Sequence, residues 1–355
     1  MHTNLCKWSL NYFKFNNTGK SSQADTEFVT QPISTNDNIS ITITTLDCPE
    51  NSTLYDNAND CNLTKHSPVS ISCKGADWVQ VQQFEKNLPK ISSISFLDGT
   101  FHENELKEST FENMKLSLEA TKFLDLRRNG LKKIESDAFN RFVNLETLNL
   151  EDNPITSLSL ETLCPFQSSL KVLILRNVSS TVGKLSSVFG VHTEFDKLSC
   201  KLNSLKHLDL AFNQIDSINS TFLYHLVNLD VFEKLTLDNN IINKNQFQNF
   251  IRNSVSLYRK KTLTIEARNN LVTSISNELV KKLSQSGRPS KRIKMYVRGN
   301  PFVCNCSLKH FSSFLKTTSG KFVFDDWSQL ACSYETSTFG ESWLLFSKLF
   351  IIYIW

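Results

Sequence analysis

The sequence predicts an α/β solenoid: a curved stack of short repeats with a parallel inner sheet, one strand per repeat, closed by cysteine-rich N- and C-terminal caps. Three observations predict it. The pattern L-x-L-x-x-N-x-L returns in register along the middle of the chain, its spacing is that of one supersecondary unit, and the nine cysteines lie mostly toward the two ends. A unit that small cannot bury its own apolar face, so stacked neighbours must build the core.

The repeats come first in that argument. Four copies are regular: Leu124-Asp-Leu126-Arg-Arg-Asn129-Gly-Leu131, Leu148-Asn-Leu150-Glu-Asp-Asn153-Pro-Ile155, Leu208-Asp-Leu210-Ala-Phe-Asn213-Gln-Ile215 and Leu235-Thr-Leu237-Asp-Asn-Asn240-Ile-Ile242. Two degenerate copies carry Asn270 and Asn300. An early copy on Ile94 and Phe96 has Gly99 at the asparagine position, and one on Leu173 and Leu175 has Val178 there. From position 99 to position 300 the anchors step by 30, 24, 25, 35, 27, 30 and 30 residues. That is the period of leucine-rich repeats, and the resemblance covers about residues 91–302 in eight copies.

The chemistry of the pattern is structural. Leucines at alternate positions make a short strand with one buried face. The asparagine amide offers one acceptor and two donors to the backbone where the chain turns off the strand. Asn129, Asn153, Asn213, Asn240, Asn270 and Asn300 should therefore stack into a ladder. Losing one rung should cost about 1–3 kcal/mol. Val178 predicts a disrupted turn, and the 35-residue step after it predicts a loop leaving the solenoid. Phe111, Phe139, Phe222 and Phe247 follow their anchors at similar distances, which points to a phenylalanine stack on the convex side rather than a lipid pocket.

The ends carry the second resemblance. Asn300-Pro-Phe-Val-Cys304-Asn-Cys306-Ser-Leu308-Lys-His-Phe311-Ser-Ser-Phe314-Leu315, followed by Trp327 and Cys332, resembles the cysteine-rich C-terminal flanking module of extracellular leucine-rich repeat proteins. The resemblance implies a Cys304–Cys332 disulfide and a partner for Cys306 beyond Gly340, where this sequence has no cysteine. That departure suggests a truncated or mis-spliced product. Cys48-Pro49, Cys61 and Ile71-Ser-Cys73-Lys-Gly75 resemble the N-terminal module, with their connectivity open. The expected organisation is a disordered polar segment at 1–47, a cap at 48–90, repeats at 91–302, an incomplete flanking module at 303–346 and an apolar tail at 347–355.

Cys164 and Cys200 flank the irregular stretch. Paired, they would close an insertion loop with a chain-entropy gain of about 3–4 kcal/mol; unpaired, they would be buried thiols. Repeats, a cysteine-bearing insertion and the N-P-F-x-C-x-C cap together are most similar to an invertebrate Toll-like receptor ectodomain. That implies an innate immune receptor's ligand-binding part without its signalling domain.

Composition narrows the remaining classes. A hydrophobic fraction of 40%, a charged fraction of 21% and a net charge of +4 over 355 residues fit a packed chain with no call on nucleic acid. Ten glycines form no phosphate cradle. Cys304-Asn-Cys306 is the best zinc candidate and lacks the usual spacing. No cofactor is implied. None of the seven histidines sits in H-E-x-x-H, and G-x-S-x-G is absent, so the chain reads as a binding protein and not an enzyme. The sequons at Asn51, Asn62, Asn177 and Asn219 are glycosylation candidates and permit an extracellular or cell-surface location. No signal peptide or membrane span is visible, because Trp343–Trp355 is too short and contains Lys348.

The strand register places Asp125, Arg127, Glu151, His207, Asp209, Glu266, Arg268, Tyr296 and Arg298 on the concave face, with Asn149, Thr236 and Asp238 among them. His207 is expected as an exposed sheet histidine. Mixed charges favour a polar protein or a microbial ligand, and a homo- or heterodimer through the solenoid is possible. The alternative is a secreted or matrix adhesion scaffold of the same repeat type.

Overall fold

Alternating leucines decide which side of each strand is buried, and the repeat length decides how the chain returns to start the next one. In the computed structural model both operate over residues 61–64, 69–78, 90–112, 118–156, 158–178, 183–184, 200–218, 220–257, 262–284, 293–303, 305 and 308–333, which are the residues the structure describes. The chain divides into two compact units, 1–54 and 55–355, and every described residue belongs to the second. The expectations for 1–47, for the tail at 347–355 and for Cys48, Cys304 and Cys306 fall outside the described residues.

One ten-stranded sheet runs in chain order: β1 (Cys61–Thr64), β2 (Val69–Lys74), β3 (Ile91–Leu97), β4 (Phe123–Asp125), β5 (Thr147–Asn149), β6 (Val172–Ile174), β7 (His207–Asp209), β8 (Lys234–Thr236), β9 (Leu263–Glu266) and β10 (Ile293–Tyr296). β1 and β2 form an antiparallel pair, and every later pairing is parallel. Parallel neighbours need a long crossover, which each repeat supplies. The register sets like on like: Ile94, Leu124, Leu148, Leu173, Leu208, Leu235, Ile265 and Met295 lie side by side, all buried. This is the predicted α/β solenoid with its parallel inner sheet.

The return path follows repeat length. The steps of 24 and 25 residues are crossed by turns and the 3-10 helix Leu160–Phe166. The later steps of 27 and 30 residues are crossed by the helices Ser220–Leu226, Lys244–Leu257 and Asn277–Ser284. A helix rises about 1.5 Å per residue against about 3.3 Å for a strand, so the longer repeats can spend their extra residues on one without lengthening the stack. Local capping starts these helices. Asn243 Oδ1 accepts the N–H groups of Asn245 and Gln246 at 3.0 and 3.1 Å, and Ser276 Oγ accepts that of Leu279 at 3.2 Å.

Phe111, Phe139 and Phe247 are fully buried, while the Phe222 side chain lies outside the described set. The ring contacts extend further than the sequence reading. Trp78, Phe96, Phe101, Phe111, Phe142, Phe139 and Phe166 form one chain with centroids 5.0–6.4 Å apart. Edge-to-face pairs dominate it, the arrangement that ring quadrupoles favour.

Each asparagine rung joins adjacent repeats. Asn240 Oδ1 accepts the N–H groups of Asn213 and Ile215 at 3.0 and 2.9 Å, and its Nδ2 donates to the carbonyls of Leu210 and Leu237, both at 3.0 Å. Asn153 does the same for Asn129 and Leu131 at 3.0 and 3.1 Å, and for Leu126 and Leu150 at 2.8 and 2.9 Å. Asn129, Asn213, Asn270 and Asn300 donate to carbonyls of the repeat before them at 2.6–2.9 Å.

Val178 corrects one expectation. The turn there is not disrupted: Asn177 has the same left-handed backbone, φ 51°, as Asp98, Arg128, Asp152, Phe212, Asn239, Asn269 and Gly299, the residues that precede the other anchors. From Asp98 to Asn269, the N–H of each of these residues reaches the next repeat's carbonyl, as Asn177 reaches Ala211 at 2.9 Å and Asp152 reaches Arg176 at 3.0 Å. Backbone bonding holds the turn, so valine removes a side-chain rung and nothing else. The loop expected after it lies largely outside the described residues; Gly183–Lys184 within it pairs in parallel with Ile215–Ser217.

Cys164 and Cys200 are joined in a disulfide spanning 36 residues, with Cα atoms 5.6 Å apart. It links the connector before β6 to the one before β7. Cys73 and Cys332 each take part in a further disulfide. At the far end the helices Lys309–Leu315 and Thr318–Val323 pack Phe311, Phe314 and Phe324 against Phe302. Phe302–Val303 pairs with Cys332–Ser333, and Asp326 Oδ2 accepts the Arg298 N–H at 2.7 Å where a further repeat would otherwise continue.

Candidate concave binding face

Between the buried leucines of each strand stand residues that face away from the core, and all nine expected face residues lie in these columns. How open they are differs. Asp125 and Asp209, expected outward, are only 3% and 6% exposed, and Asn149 and Thr236 are equally buried. Two physical causes close them. Strands lie only about 4.8 Å apart, so neighbouring side chains crowd short ones. These short side chains also turn back on the backbone. Asp125 Oδ1 accepts the Arg127 N–H at 3.2 Å, Asn149 Oδ1 that of Glu151 at 3.0 Å, and Asp209 Oδ1 that of Ala211 at 3.0 Å. Each is an Asx turn that ends its strand. The recurring Leu-Asp/Asn-Leu was the available signal for it.

The longer side chains lie across them. Arg127 pairs with Asp125 at 2.9 Å, and Arg176 pairs with Asp209 at 2.9 Å and Glu151 at 3.6 Å. Burial pushes the Asp125 and Glu151 carboxyls above their usual range, against the pull of these arginines. In the later repeats the pairing again crosses strands. Asp238 accepts the Arg268 backbone N–H and its guanidinium, each at 2.7 Å. Arg268 also lies 3.4 Å from Glu266 and stacks over Tyr296 with its guanidinium carbon 4.6 Å from the ring centre. Arg298 is exposed and donates to Gln329 Oε1 at 2.6 Å.

His207 is a second correction. It is half-buried, with Nε2 3.2 Å from Thr236 Oγ1, whose hydroxyl donates to Glu266 Oε2 at 3.1 Å. That hydroxyl has one hydrogen, so Nε2 must carry the ring proton. Burial, reinforced by Lys234, lowers the His207 pKa to about 4, leaving a neutral ring at pH 7. Burial alone would raise Glu266, but Lys234 at 3.0 Å and its other donors outweigh it and hold the carboxyl below its ordinary value. The face is thus a mesh of compensated charges, with each of these carboxylates committed to a cation or a backbone donor.

Off the face, a shallow concavity of about 470 Å³ lies where the strands begin, with Lys122 and Lys171 both paired to Glu146, at 3.1 and 2.6 Å. Among the described residues no group of three or more His, Cys, Asp and Glu is placed to hold a metal. Of the sequon asparagines, Asn177 is exposed and donates from Nδ2 to Asp152 Oδ1 at 2.8 Å. Asn62 lies on β1, and Asn51 and Asn219 lie outside the described residues.

This geometry has relatives. Residues 121–177 match the family model described as Leucine rich repeat, and residues 201–217 match a second described as Leucine Rich repeat. The fold is a leucine-rich repeat solenoid. Human leucine-rich repeat-containing protein 66 is 30% identical over 200 residues, which is 55% of this chain and 21% of that protein. The chain therefore spans about a fifth of the length of the curated relative it matches. The crystal structure of human 5T4 (Wnt-activated inhibitory factor 1, trophoblast glycoprotein) superposes with a TM-score of 0.56 at 18% identity, over 80% of this chain and 94% of that one. A chain of the mouse RP105/MD-1 complex aligns more loosely, with a TM-score of 0.41 at 19% identity over 73% of this chain and 46% of that one. These relatives support leucine-rich repeats broadly and do not single out invertebrate Toll-like receptors. Among the described residues no helix is long and apolar enough to cross a membrane.

Proposed function

We propose that this chain is the binding part of an extracellular or cell-surface leucine-rich repeat protein, and that it takes a protein partner on its concave face. The observation that carries the reading is the Arg268–Tyr296 stack beside the exposed Arg298. Arginine and tyrosine supply most of the binding energy at protein interfaces, and here a fixed sheet holds them in place. The surrounding charges are already neutralised within the face, so an incoming protein need not carry strong net charge to cover them. The cross-repeat disulfide supports the extracellular half of the proposal, since such bonds persist in oxidising compartments. The cysteine-bearing middle and the N-P-F-x-C-x-C motif support a Toll-like receptor ectodomain as the finer reading.

The test is direct. Tetramers of the secreted chain are applied to an array of secreted and cell-surface proteins. At least one protein should be retained, and Arg268→Ala or Tyr296→Ala should weaken that retention by about tenfold or more. Retention indifferent to both substitutions would refute the concave-face assignment, and no retention at all would refute protein binding.

A further inference from the structure

We propose that Asn177 carries an N-linked glycan whose first sugar packs on the ring of Phe212. Eight residues precede the anchor positions in left-handed turns, stacked along one edge of the sheet; seven are Asp, Arg, Asn or Gly, and the eighth is Phe212, at φ 62°. A bulky side chain rarely adopts that backbone, and such outliers persist where the surroundings or a function hold them.

The edge around it is polar and internally bonded. Arg128 pairs with Asp98 at 2.6 Å, Asn177 Nδ2 donates to Asp152 Oδ1 at 2.8 Å, and Asn269 Nδ2 donates to Asn239 Oδ1 at 3.0 Å. Phe212 interrupts this outer ladder and is 45% exposed. The Arg176 guanidinium lies 5.8 Å from its ring centre and leaves much of the ring open.

The neighbouring turn supplies the cover. Asn177-Val178-Ser179 is a glycosylation acceptor, Asn177 is exposed, and its N–H donates to the carbonyl of Ala211, the residue next to Phe212, at 2.9 Å. In the transfer, Asn177 Nδ2 attacks the anomeric carbon of a lipid-diphosphate-linked oligosaccharide. The C–N bond forms, the bond from carbon to phosphate oxygen breaks, the lipid diphosphate leaves, and the amide loses one proton. The second amide hydrogen remains to bond Asp152 in the repeat before, which holds the linkage on this edge, with Phe212 in the repeat after. The C–H groups of a pyranose then meet the negative face of the ring. The proposal rests on the extracellular reading above, since only a secreted chain meets that donor.

The experiment expresses residues 1–355 behind a leader in a glycosylating cell and maps each sequon after peptide N-glycosidase treatment. Asn177 should be occupied. Removing its glycan by Ser179→Ala should lower the melting midpoint by about 2–4 °C in the chain with Phe212. In Phe212→Asn, which puts a residue suited to the left-handed turn in its place, the same removal should leave the midpoint unchanged. Asn177 bare while another sequon is occupied overturns the proposal and leaves the extracellular reading intact. An equal shift in both backgrounds, or none in either, overturns the stacking. A secreted chain bare at every sequon overturns the glycan site, and failure to enter the secretory route overturns the extracellular reading with it.

Discussion

The repeats before Val178 and those after it share one sheet and are built differently. The early half is held by a continuous run of aromatic rings and crossed by turns, short 3-10 segments and the short helix Glu108–Glu112. The later half keeps buried rings, among them Phe232, Phe247 and Phe250, and adds longer helices whose buried faces, such as Leu279, Val280 and Leu283, share the filling. The concave face carries two kinds of carboxylate or amide: Asp125, Asn149 and Asp209 bond within their own strand ends, whereas Asp238, in the later half, reaches across to Arg268. Between the halves stands β6, whose repeat has Val178 in place of an asparagine anchor, as the first repeat has Gly99, and the disulfide clamps the connectors on either side of it. A solenoid's stability is a sum of repeat terms and nearest-neighbour terms. The covalent link therefore sits where one neighbour term is weakest.

Breaking that link should give the largest effect. Replacing Cys164 and Cys200 together with serine opens a 36-residue loop and should cost about 3–4 kcal/mol in denaturant unfolding. The single transition should also split into two, because the side-chain ladder no longer has a covalent substitute at β6. A variant that keeps one sharp transition at unchanged denaturant concentration would show that backbone bonding alone couples the halves.

The next effect sharpens the same comparison. Asn153→Ala and Asn240→Ala, one in each half, each remove five side-chain hydrogen bonds of similar length. Each should cost about 1–3 kcal/mol, since buried backbone groups lose partners. In the disulfide-free chain, Asn153→Ala should move only the early transition and Asn240→Ala only the later one. Hydrogen exchange of the Asn129 and Asn213 amides reports the two separately. If either substitution deprotects both amides equally, the halves are one cooperative unit.

The division also explains what could be read from sequence. Leu124, Leu148, Leu208 and Asn240 were legible because each repeats a local chemical demand at a fixed position. Val178 was misread because the sequence shows the lost amide and hides the backbone bond that keeps the turn. Asp125 and Asp209 follow the strand alternation, yet alternation says nothing of how closely neighbouring strands crowd a short side chain. The Cys164–Cys200 pairing and the burial of Phe142 and Phe166 depend on where connectors land on the convex side, which periodicity does not specify. Phe212 was passed over because a left-handed turn is invisible when its residue is not glycine or asparagine.

The smallest effect tests the contrast between the two kinds of concave carboxylate. Asp125 serves its own turn, and Asn149 already performs that service with an amide one repeat along. Asp125→Asn should keep the bond from the Arg127 N–H and change stability by no more than about 0.5 kcal/mol at pH 7. Asp238→Asn should cost more, because its carboxylate meets both the backbone and the guanidinium of Arg268. Burial raises Asp125 above its unfolded value, so the folded chain holds that proton more tightly than the unfolded one. Its contribution is therefore fully present below the unfolded pKa and is lost as pH rises through the folded one. Asp125→Asn removes that fall, so the unfolding midpoint should rise more from acid to neutral pH in the variant than in the parent chain. A smaller rise in the variant would mean that the Arg127 ion pair outweighs burial.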